Sequence, residues 1–313
     1  MDHVIQVRNL VKSYGKVMAL RGISITVNRG EIYVFLGRNG AGKTTTIRIL
    51  MGITEPTSGE VLVFGAPIHA NPIAIRERVG YVAQEQHFYG WMKGEELARF
   101  VSAFYPTWDH NEWQRLVKRL EIPTNQRVDT LSAGTKAKLA LALALAHNPP
   151  LLILDEPTAG LDPVARREFL EILRESSSNR TTFFSTHLVD EVESIAHRVG
   201  IIDQGQSRFE GTVDTLVKRY RYLSIPSFSP LQEPSQEMIN LLERHAIHLL
   251  HTQHHPGLLR LLLQSPSPNA FDALLADPAF TSTFQGEATI QNLSLEESFV
   301  ALVRYSSASS SPE

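Results

Sequence analysis

Gly37-Arg38-Asn39-Gly40-Ala41-Gly42-Lys43-Thr44 follows the apolar run Ile32 to Leu36 and precedes Thr45 to Met51, which reads as a helix ending at Gly52. At a strand-to-helix junction the spacing G-x-x-x-x-G-K-[ST] has a chemical meaning. The glycines let successive backbone N–H groups curl around a phosphate, the lysine brings positive charge to the β and γ phosphates, and the threonine hydroxyl suits Mg2+. Gly37, Asn39, Gly40, Ala41, Gly42, Lys43, Thr44 and Thr45 are therefore candidate nucleotide contacts. An ordinary glycine-rich turn would not require the strand, the helix and the complete spacing together.

A second stretch, Leu151-Leu152-Ile153-Leu154-Asp155-Glu156, is an apolar strand that ends in two carboxylates. Beside a phosphate loop, Asp155 can reach the Mg2+ shell and Glu156 can polarise a water for in-line attack on the γ phosphate. Apolar runs at Thr181 to Ser185 and Val199 to Ile202 alternate with helical segments, and short β-rich runs stand at Val4 to Val7, Ile23 to Val27 and Glu60 to Phe64. Strands alternating with helices predict an α/β core with a largely parallel sheet. From about 88 to 147 the spacing turns helical, as at Leu97, Phe100, Val101 and Phe104, and predicts a helical subdomain inserted in that core.

The composition changes near Tyr220, so the first domain is assigned to 1–220. Residues 221–235, with Pro226, Pro230 and Pro234, read as a linker. Beyond it the pattern predicts helix at 236–244, strand at 246–253, a turn at Pro256-Gly257 and strand at 258–264. Helix at 270–276, strand at 286–291 and helix at 295–305 complete a small α+β domain over 236–305, with a frayed tail at 306–313. Five of the twelve histidines fall here: His245, His248, His251, His254 and His255. A strand and turn do not present period-three residues on one face and no carboxylate lies among them, so they read as a solvated or interface strand and not a metal site.

The 313 residues carry 30 Lys and Arg against 33 Asp and Glu, a formal charge of -3, which argues against a polybasic protein held to nucleic acid or anionic lipid by net charge. With 42% hydrophobic residues, most of the chain can bury a core. Zero cysteines exclude disulfides, thiol catalysis and thiolate metal sites. The most apolar stretch, Leu139 to Ala146, is cut off by His147-Asn148-Pro149-Pro150, well short of the ~20 apolar residues that a bilayer span needs. The N-terminus has no basic region followed by an apolar core. A cytosolic protein without a membrane span of its own is expected.

With these elements in place, the sequence resembles the ATP-binding cassette (ABC) ATPases over nearly all of residues 1–220. Leu131-Ser132-Ala133-Gly134-Thr135 is similar to the family's signature segment and Ala159-Gly160-Leu161-Asp162 to its D-loop. His187 after Thr181 to Ser185 matches the switch histidine, Gln84 in Tyr81-Val82-Ala83-Gln84 the glutamine loop, and Tyr14 in Ser13-Tyr14-Gly15 the aromatic that stacks on adenine. The resemblance implies an α/β P-loop NTPase cassette that binds ATP and Mg2+, with Glu156, His187 and Gln84 in catalysis. It places Thr44, Gln84 and Asp155 around the metal, and Tyr14, Ser132, Gly134 and Asp162 among the nucleotide contacts. It also implies a homodimer sandwich around two ATP molecules, in which the Ser132 segment of one copy completes the site of the other. Gln86, two residues on, offers the same amide as Gln84. The signature departs from Leu-Ser-Gly-Gly-Gln at Ala133 and Thr135 while keeping Ser132 and Gly134, which implies retained but slow or partner-dependent turnover.

Such a cassette needs an effector. Phe88, Tyr89, Trp91 and Met92 follow Gln84, and in ABC transporters this neighbourhood receives a coupling helix from the membrane subunit; a docking groove is expected there. The closing Ser294 to Leu302 resembles the terminal helix of exporter ATPases of the drug, antibiotic and polysaccharide type. The expected partners are thus a second copy and a separate transmembrane permease subunit, with no direct nucleic acid, and the expected place is the cytoplasmic face of the membrane. The other reading is a soluble ABC ATPase acting on ribosomes, nucleic acid or cofactor assembly. Against it, the chain holds one cassette and no long coiled coil between Lys43 and Ser132.

Overall fold

A computed structural model describes residues 3–177, 180–226, 233–265, 267, 269–283 and 288–305. The chain divides into two compact units, one up to Glu210 and one from Gly211 onward. In the first, β1 (His3–Tyr14) and β2 (Val17–Asn28) form a long antiparallel pair, β3 (Ile32–Gly37) runs into the phosphate loop, and α1 (Lys43–Leu50) leaves it. β4 (Ser58–Val63) and β5 (Ala66–Pro67) return to complete a four-stranded antiparallel sheet in the order β2-β1-β4-β5. After α2 (Pro72–Arg76) and β6 (Val79–Val82) come three helices, α3 (Gly94–Ser102), α4 (His110–Arg119) and α5 (Ala133–Leu145). The chain then alternates as β7 (Leu151–Asp155), α6 (Pro163–Ser176), β8 (Thr181–Thr186), α7 (Val189–Ile195) and β9 (Arg198–Asp203), and ends in β10 (Gln206–Gly211).

These strands form a six-stranded sheet ordered β10-β9-β3-β8-β7-β6, in which β9, β3, β8, β7 and β6 are parallel. Every residue of β3, β7 and β8 is buried, as expected for parallel strands covered on both faces. Ile47 and Leu50 of α1 join the core that also holds Leu20, Ile25, Phe35 and Ile153. The apolar stretch Leu139 to Ala146 lies within and just after the thirteen-residue α5, buried on nearly all sides. No helix among the described residues is long and apolar enough to cross a membrane. The expected helical face of Leu97, Phe100, Val101 and Phe104 is only partly realised: Leu97 is buried, Phe100 is exposed, and Phe104 lies past the end of α3.

The second unit begins earlier than residue 220. It contains α8 (Val213–Lys218), β11 (Tyr220–Pro226), α9 (Gln236–Arg244), β12 (His248–His255) and β13 (Leu258–Gln264). α10 (Ala270–Ala276), α11 (Pro278–Thr283), β14 (Thr289–Asn292) and α12 (Leu295–Tyr305) follow. The assignment of 221–235 as a linker is corrected: Tyr220–Pro226 is an inner strand, antiparallel to β13 on one side and β14 on the other. Leu223 and Ile225 on that strand enter a core with Leu242, Leu261, Leu263 and Phe271, and Pro226 sits at the strand's last position, where the lost N–H matters least. Residues 227–232, the tail at 306–313 and the start of the strand expected at 286–291 lie outside the described residues. The histidines of this unit take separate roles: His245 Nε2 bonds Asp277 Oδ2 at 2.9 Å, and His251 stacks on Tyr305.

His147, just beyond α5, gives the first unit an acid-sensitive point. Its ring is buried, stacks on Tyr105 at 3.9 Å, and neither nitrogen has a hydrogen-bond partner. Burial, and then the Arg180 charge, pull its pKa from 6.5 down to about 4. Above pH 6.5 both folded and unfolded states are neutral and His147 has no effect; between there and pH 4 only the unfolded chain takes up the proton, so stability falls. His147→Phe, which keeps the stack, is expected to flatten the fall of unfolding free energy with acid by up to about 1.4 kcal/mol per pH unit in that window, as read from urea melts at several pH values. An unchanged slope would show that His147 is not the titrating group.

Candidate nucleotide site

Strand order builds the site. β3, β8 and β7 are adjacent and parallel, so the loops leaving their carboxyl ends converge on one edge of the sheet. β3 delivers the phosphate loop, β7 delivers Asp155 and Glu156, and β8 delivers Thr186 and His187. At Gly37 a Cβ would stand 2.5 Å from the Ile202 carbonyl oxygen, so only glycine allows the loop to pass β9. Gly42 has φ 111, and a Cβ there would meet Leu20 at 2.6 Å. Gly205 N–H donates to the Ala41 carbonyl at 3.0 Å and braces the loop from behind.

The Lys43 side chain is buried, and its Nζ donates to the carbonyls of Gly37 at 2.7 Å and Arg38 at 3.1 Å. The same ammonium lies 2.9 Å from Glu156 Oε1, while Glu156 Oε2 lies 2.9 Å from His187 Nδ1. Glu156 adopts φ 43, in the left-handed region, and its N–H donates to both the carbonyl and the hydroxyl of Ser185, each at 3.1 Å. Ser185 Oγ in turn donates to Asp155 Oδ1 at 2.8 Å, and Thr44 Oγ1 reaches the same oxygen at 3.3 Å. Burial pushes the Asp155 carboxyl above the usual carboxylate range, against these two hydroxyls, which pull it down. Ser185 thus joins these contacts, and the spacing of residue types does not mark it. Its only sequence signal is a hydroxyl closing the apolar run Phe183-Phe184 at a strand end.

Lys43, Thr44, Asp155, Glu156 and His187 form one contact group. Asn39, Gly40 and Ala41 line a cleft of about 470 Å³ together with His187 and Asp203; Thr45 follows in the first turn of α1. The other sequence candidates stand outside that group among the described residues. Gln84 is exposed, just past the carboxyl end of β6 beside β7, whereas Gln86 Nε2 folds back onto the Ala83 carbonyl at 2.9 Å. Tyr14 ends β1, half exposed, with Lys12 Nζ 4.9 Å from its ring centroid. Asp162 caps α6 by accepting from Ala165 and Val164 N–H groups, bonds that hold its carboxyl below the usual range.

Ser132 caps α5, with Ala133 as the first helical residue; its Oγ accepts from Thr135 N–H at 3.1 Å and lies 2.9 Å from Thr135 Oγ1. A Cβ on Gly134 would find its nearest neighbour at 3.8 Å, ordinary contact, so this chain's own packing does not require glycine there.

The fold and the contact group together define a P-loop nucleotide hydrolase. The family description "ABC transporter" matches residues 20–159. The chain is 33% identical over 308 residues to the bacitracin transport ATP-binding protein of Bacillus licheniformis, covering 97% of this chain and 98% of that protein. It is 34% identical over 222 residues to the linearmycin resistance ATP-binding protein of Bacillus subtilis, covering 69% and 71%. With the Nod factor export ATP-binding protein of Burkholderia lata it shares 36% identity over 222 residues, covering 68% and 72%. A solved ATP-binding subunit of an ABC transporter superposes with a TM-score of 0.63 at 28% identity, covering 68% of this chain and 91% of that one. The chain belongs to the ABC transporter family, as an ATP-hydrolysing cassette subunit of the exporter type.

Because Lys43 and Glu156 balance each other out of water, removing one charge leaves the other costly to keep buried. Glu156→Gln is expected to lower the Tm of nucleotide-free protein and to show a larger ATP-induced Tm gain than wild type, since a bound phosphate replaces the lost carboxylate. Its hydrolysis should fall by at least about a hundredfold, with the ATP Kd lowered in step with the larger Tm gain. Equal ATP-induced gains in both proteins would sink the charge-replacement account.

Proposed function

We propose that two copies of this chain close on two MgATP, drive a separate transmembrane subunit of an exporter, and reopen after hydrolysis. Glu156 acts as the base that orients the attacking water, with His187 holding that carboxylate and contacting the γ phosphate. Lys43 and the phosphate-loop N–H groups hold the β and γ phosphates, Tyr14 stacks on the adenine, and Gln84 links the site to the helical subdomain. Thr44 and Asp155, whose oxygens share a hydrogen bond, suit a Mg2+ ion, and the resemblance would have Gln84 complete its shell. The metal, when bound, neutralises charge that develops on the phosphate oxygens. The observation that carries the reading is the Lys43, Glu156 and His187 contact group at the end of the parallel sheet. That this chain's own packing does not require glycine at 134, beside the Ser132 cap, supports the second copy as the partner of that segment, and Asp162 lies on the loop facing it in the resemblance.

The membrane partner is supported by a run of exposed rings on the helical subdomain. Tyr89 and Trp91 are 6.2 Å apart, Tyr89 and Phe100 5.6 Å, and Phe100 and Phe104 5.2 Å. All four rings are exposed, whereas Phe88 and Met92 are half-buried. Four connected exposed aromatics on a water-soluble unit are the kind of patch that a partner covers. The likeness to the bacitracin transport subunit runs through both units, which supports a role of the C-terminal unit within the same assembly, in dimerisation or regulation. Nothing in the relatives favours the soluble alternative on ribosomes, nucleic acid or cofactor assembly.

Coexpression with the membrane subunit tests the docking. Tyr89→Ala with Trp91→Ala is expected to lower copurification at least about tenfold, as for paired interface hot spots, with ATP binding unchanged. Undiminished assembly and transport would remove these rings from the interface. In light scattering with ATP, Glu156→Gln should run as a dimer; a monomer at saturating ATP would end the sandwich reading.

A further inference from the structure

The contact group of the nucleotide site depends on two loops, and a residue outside the site joins them. Glu191, on α7, is 1% exposed and lies among the most deeply buried charged side chains of the first unit. Its Oε1 accepts from Thr158 Oγ1 at 2.5 Å, and its Oε2 accepts from Thr186 Oγ1. Arg166 Nε stands 3.7 Å from Oε1 and compensates the charge. Both hydroxyls are themselves buried, and the Thr186 oxygen also accepts from the Leu188 N–H at 3.0 Å. Thr158 is two residues beyond Glu156, on the turn that Ala159 N–H and Leu161 N–H close onto the Glu156 and Thr158 carbonyls. Thr186 immediately precedes His187.

The contacts therefore close a ring: Glu156 to Thr158 along one loop, Thr158 to Glu191, Glu191 to Thr186, Thr186 to His187 along the other, and His187 back to Glu156 at 2.9 Å. We propose that Glu191 is a positioning residue for hydrolysis, its buried carboxylate tying the loop after Glu156 to the loop that carries His187 and so fixing the carboxylate against the imidazole. The inference rests on Glu156 and His187 acting as the proposed function assigns them. The residue touches neither nucleotide nor water; it acts by limiting how far the two loops can part. Such a tie matters because a misplacement of about 1 Å in a reacting group can cost on the order of a hundredfold in rate. Without it, each loop keeps its backbone turn but loses the bond that sets its distance from the other. The carboxylate suits the task because it offers one oxygen to each hydroxyl, and burial makes each unmade bond costly.

The test uses the purified full-length chain and measures kcat, the Kd for ATP on the same preparations, and folding by circular dichroism. Glu191→Ala is expected to lower kcat about thirtyfold while the ATP Kd moves less than about threefold, the split that separates a reacting-geometry role from binding. Glu191→Gln keeps the length and can bond both hydroxyls, accepting with one amide atom and donating with the other, and should recover kcat to within about fivefold of wild type. Thr158→Val combined with Thr186→Val should lower kcat about as far as Glu191→Ala, and adding Glu191→Ala to that pair should cost less than about twofold more. A folded Glu191→Ala protein with wild-type kcat, or one whose only loss is ATP affinity, overturns the proposal. If Glu191→Ala does not fold, the folded double threonine variant decides in the same way. A Glu156→Gln control that hydrolyses ATP like wild type would instead overturn the assignment of Glu156, and the positioning role with it; an inactive control beside a fully active Glu191→Ala overturns the positioning role alone.

Discussion

A buried ammonium organises this molecule's chemistry. Lys43 is taken out of water by the loop that presents it, and its charge can stay there only if something answers it. Without nucleotide the answer is Glu156, helped by two loop carbonyls. The carboxylate that balances the lysine also takes the His187 ring on its other oxygen, so the three side chains hold one another in place. In the proposed mechanism a phosphate that takes over Lys43 would free one Glu156 oxygen and leave the histidine on the other. On that proposal, binding and activation of the base are one exchange of partners.

That exchange is possible because the backbone holds Glu156 in place by other means. A non-glycine residue at φ 43 is costly, on the order of 1–3 kcal/mol, and persists only where its surroundings fix it. Ser185 does so from the neighbouring strand, accepting from the Glu156 N–H with two oxygens and donating to Asp155. One serine therefore holds the Asp155 carboxylate and the Glu156 backbone together. It can do this only because β8 is inserted between β3 and β7, an order that also brings His187 to the same edge. The parallel sheet, the strained glutamate and the histidine are consequences of a single strand order.

How far all this is legible in the sequence follows from the range of each interaction. The phosphate loop, Asp155 and Glu156 are readable because their chemistry is local, a spacing of residue types at a strand end. Most elements of the second unit are readable for the same reason, since periodicity marks the helices at 236–244 and 295–305 within a residue or two. Ser185 and Glu191 are not, because a hydroxyl ending an apolar run and a glutamate in a short helix acquire meaning from neighbours 29 to 33 positions away, Glu156 and Asp155 for the serine and Thr158 for the glutamate. The linker at 221–235 fails for a different reason. Three prolines in fifteen positions outweigh the five residues before the first of them, yet Tyr222, Leu223 and Ile225 are buried and that proline only ends the strand. Phe100 and Phe104 mislead in the opposite sense, keeping helical spacing while exposed and meeting each other edge to face.

The altered signature is where geometry adds most to the reading by type. Ala133 occupies the first turn of α5, where a methyl group favours the helix, and Gly134 stands where this chain's own packing would also accept a side chain. Thr135 is the change with a consequence, because its hydroxyl lies 2.9 Å from Ser132 Oγ and the two share one hydrogen bond. Ser132 has a single proton and already accepts from the Thr135 N–H. If Ser132 donates to Thr135, the serine proton is used and only the threonine proton points outward; if Thr135 donates to Ser132, the serine proton points outward. In the proposed dimer a phosphate, which can only accept, would select the second arrangement where it meets Ser132. The threonine would then reinforce the serine as a donor, so that on the proposed reading the change at 135 is compatible with the Ser132 contact.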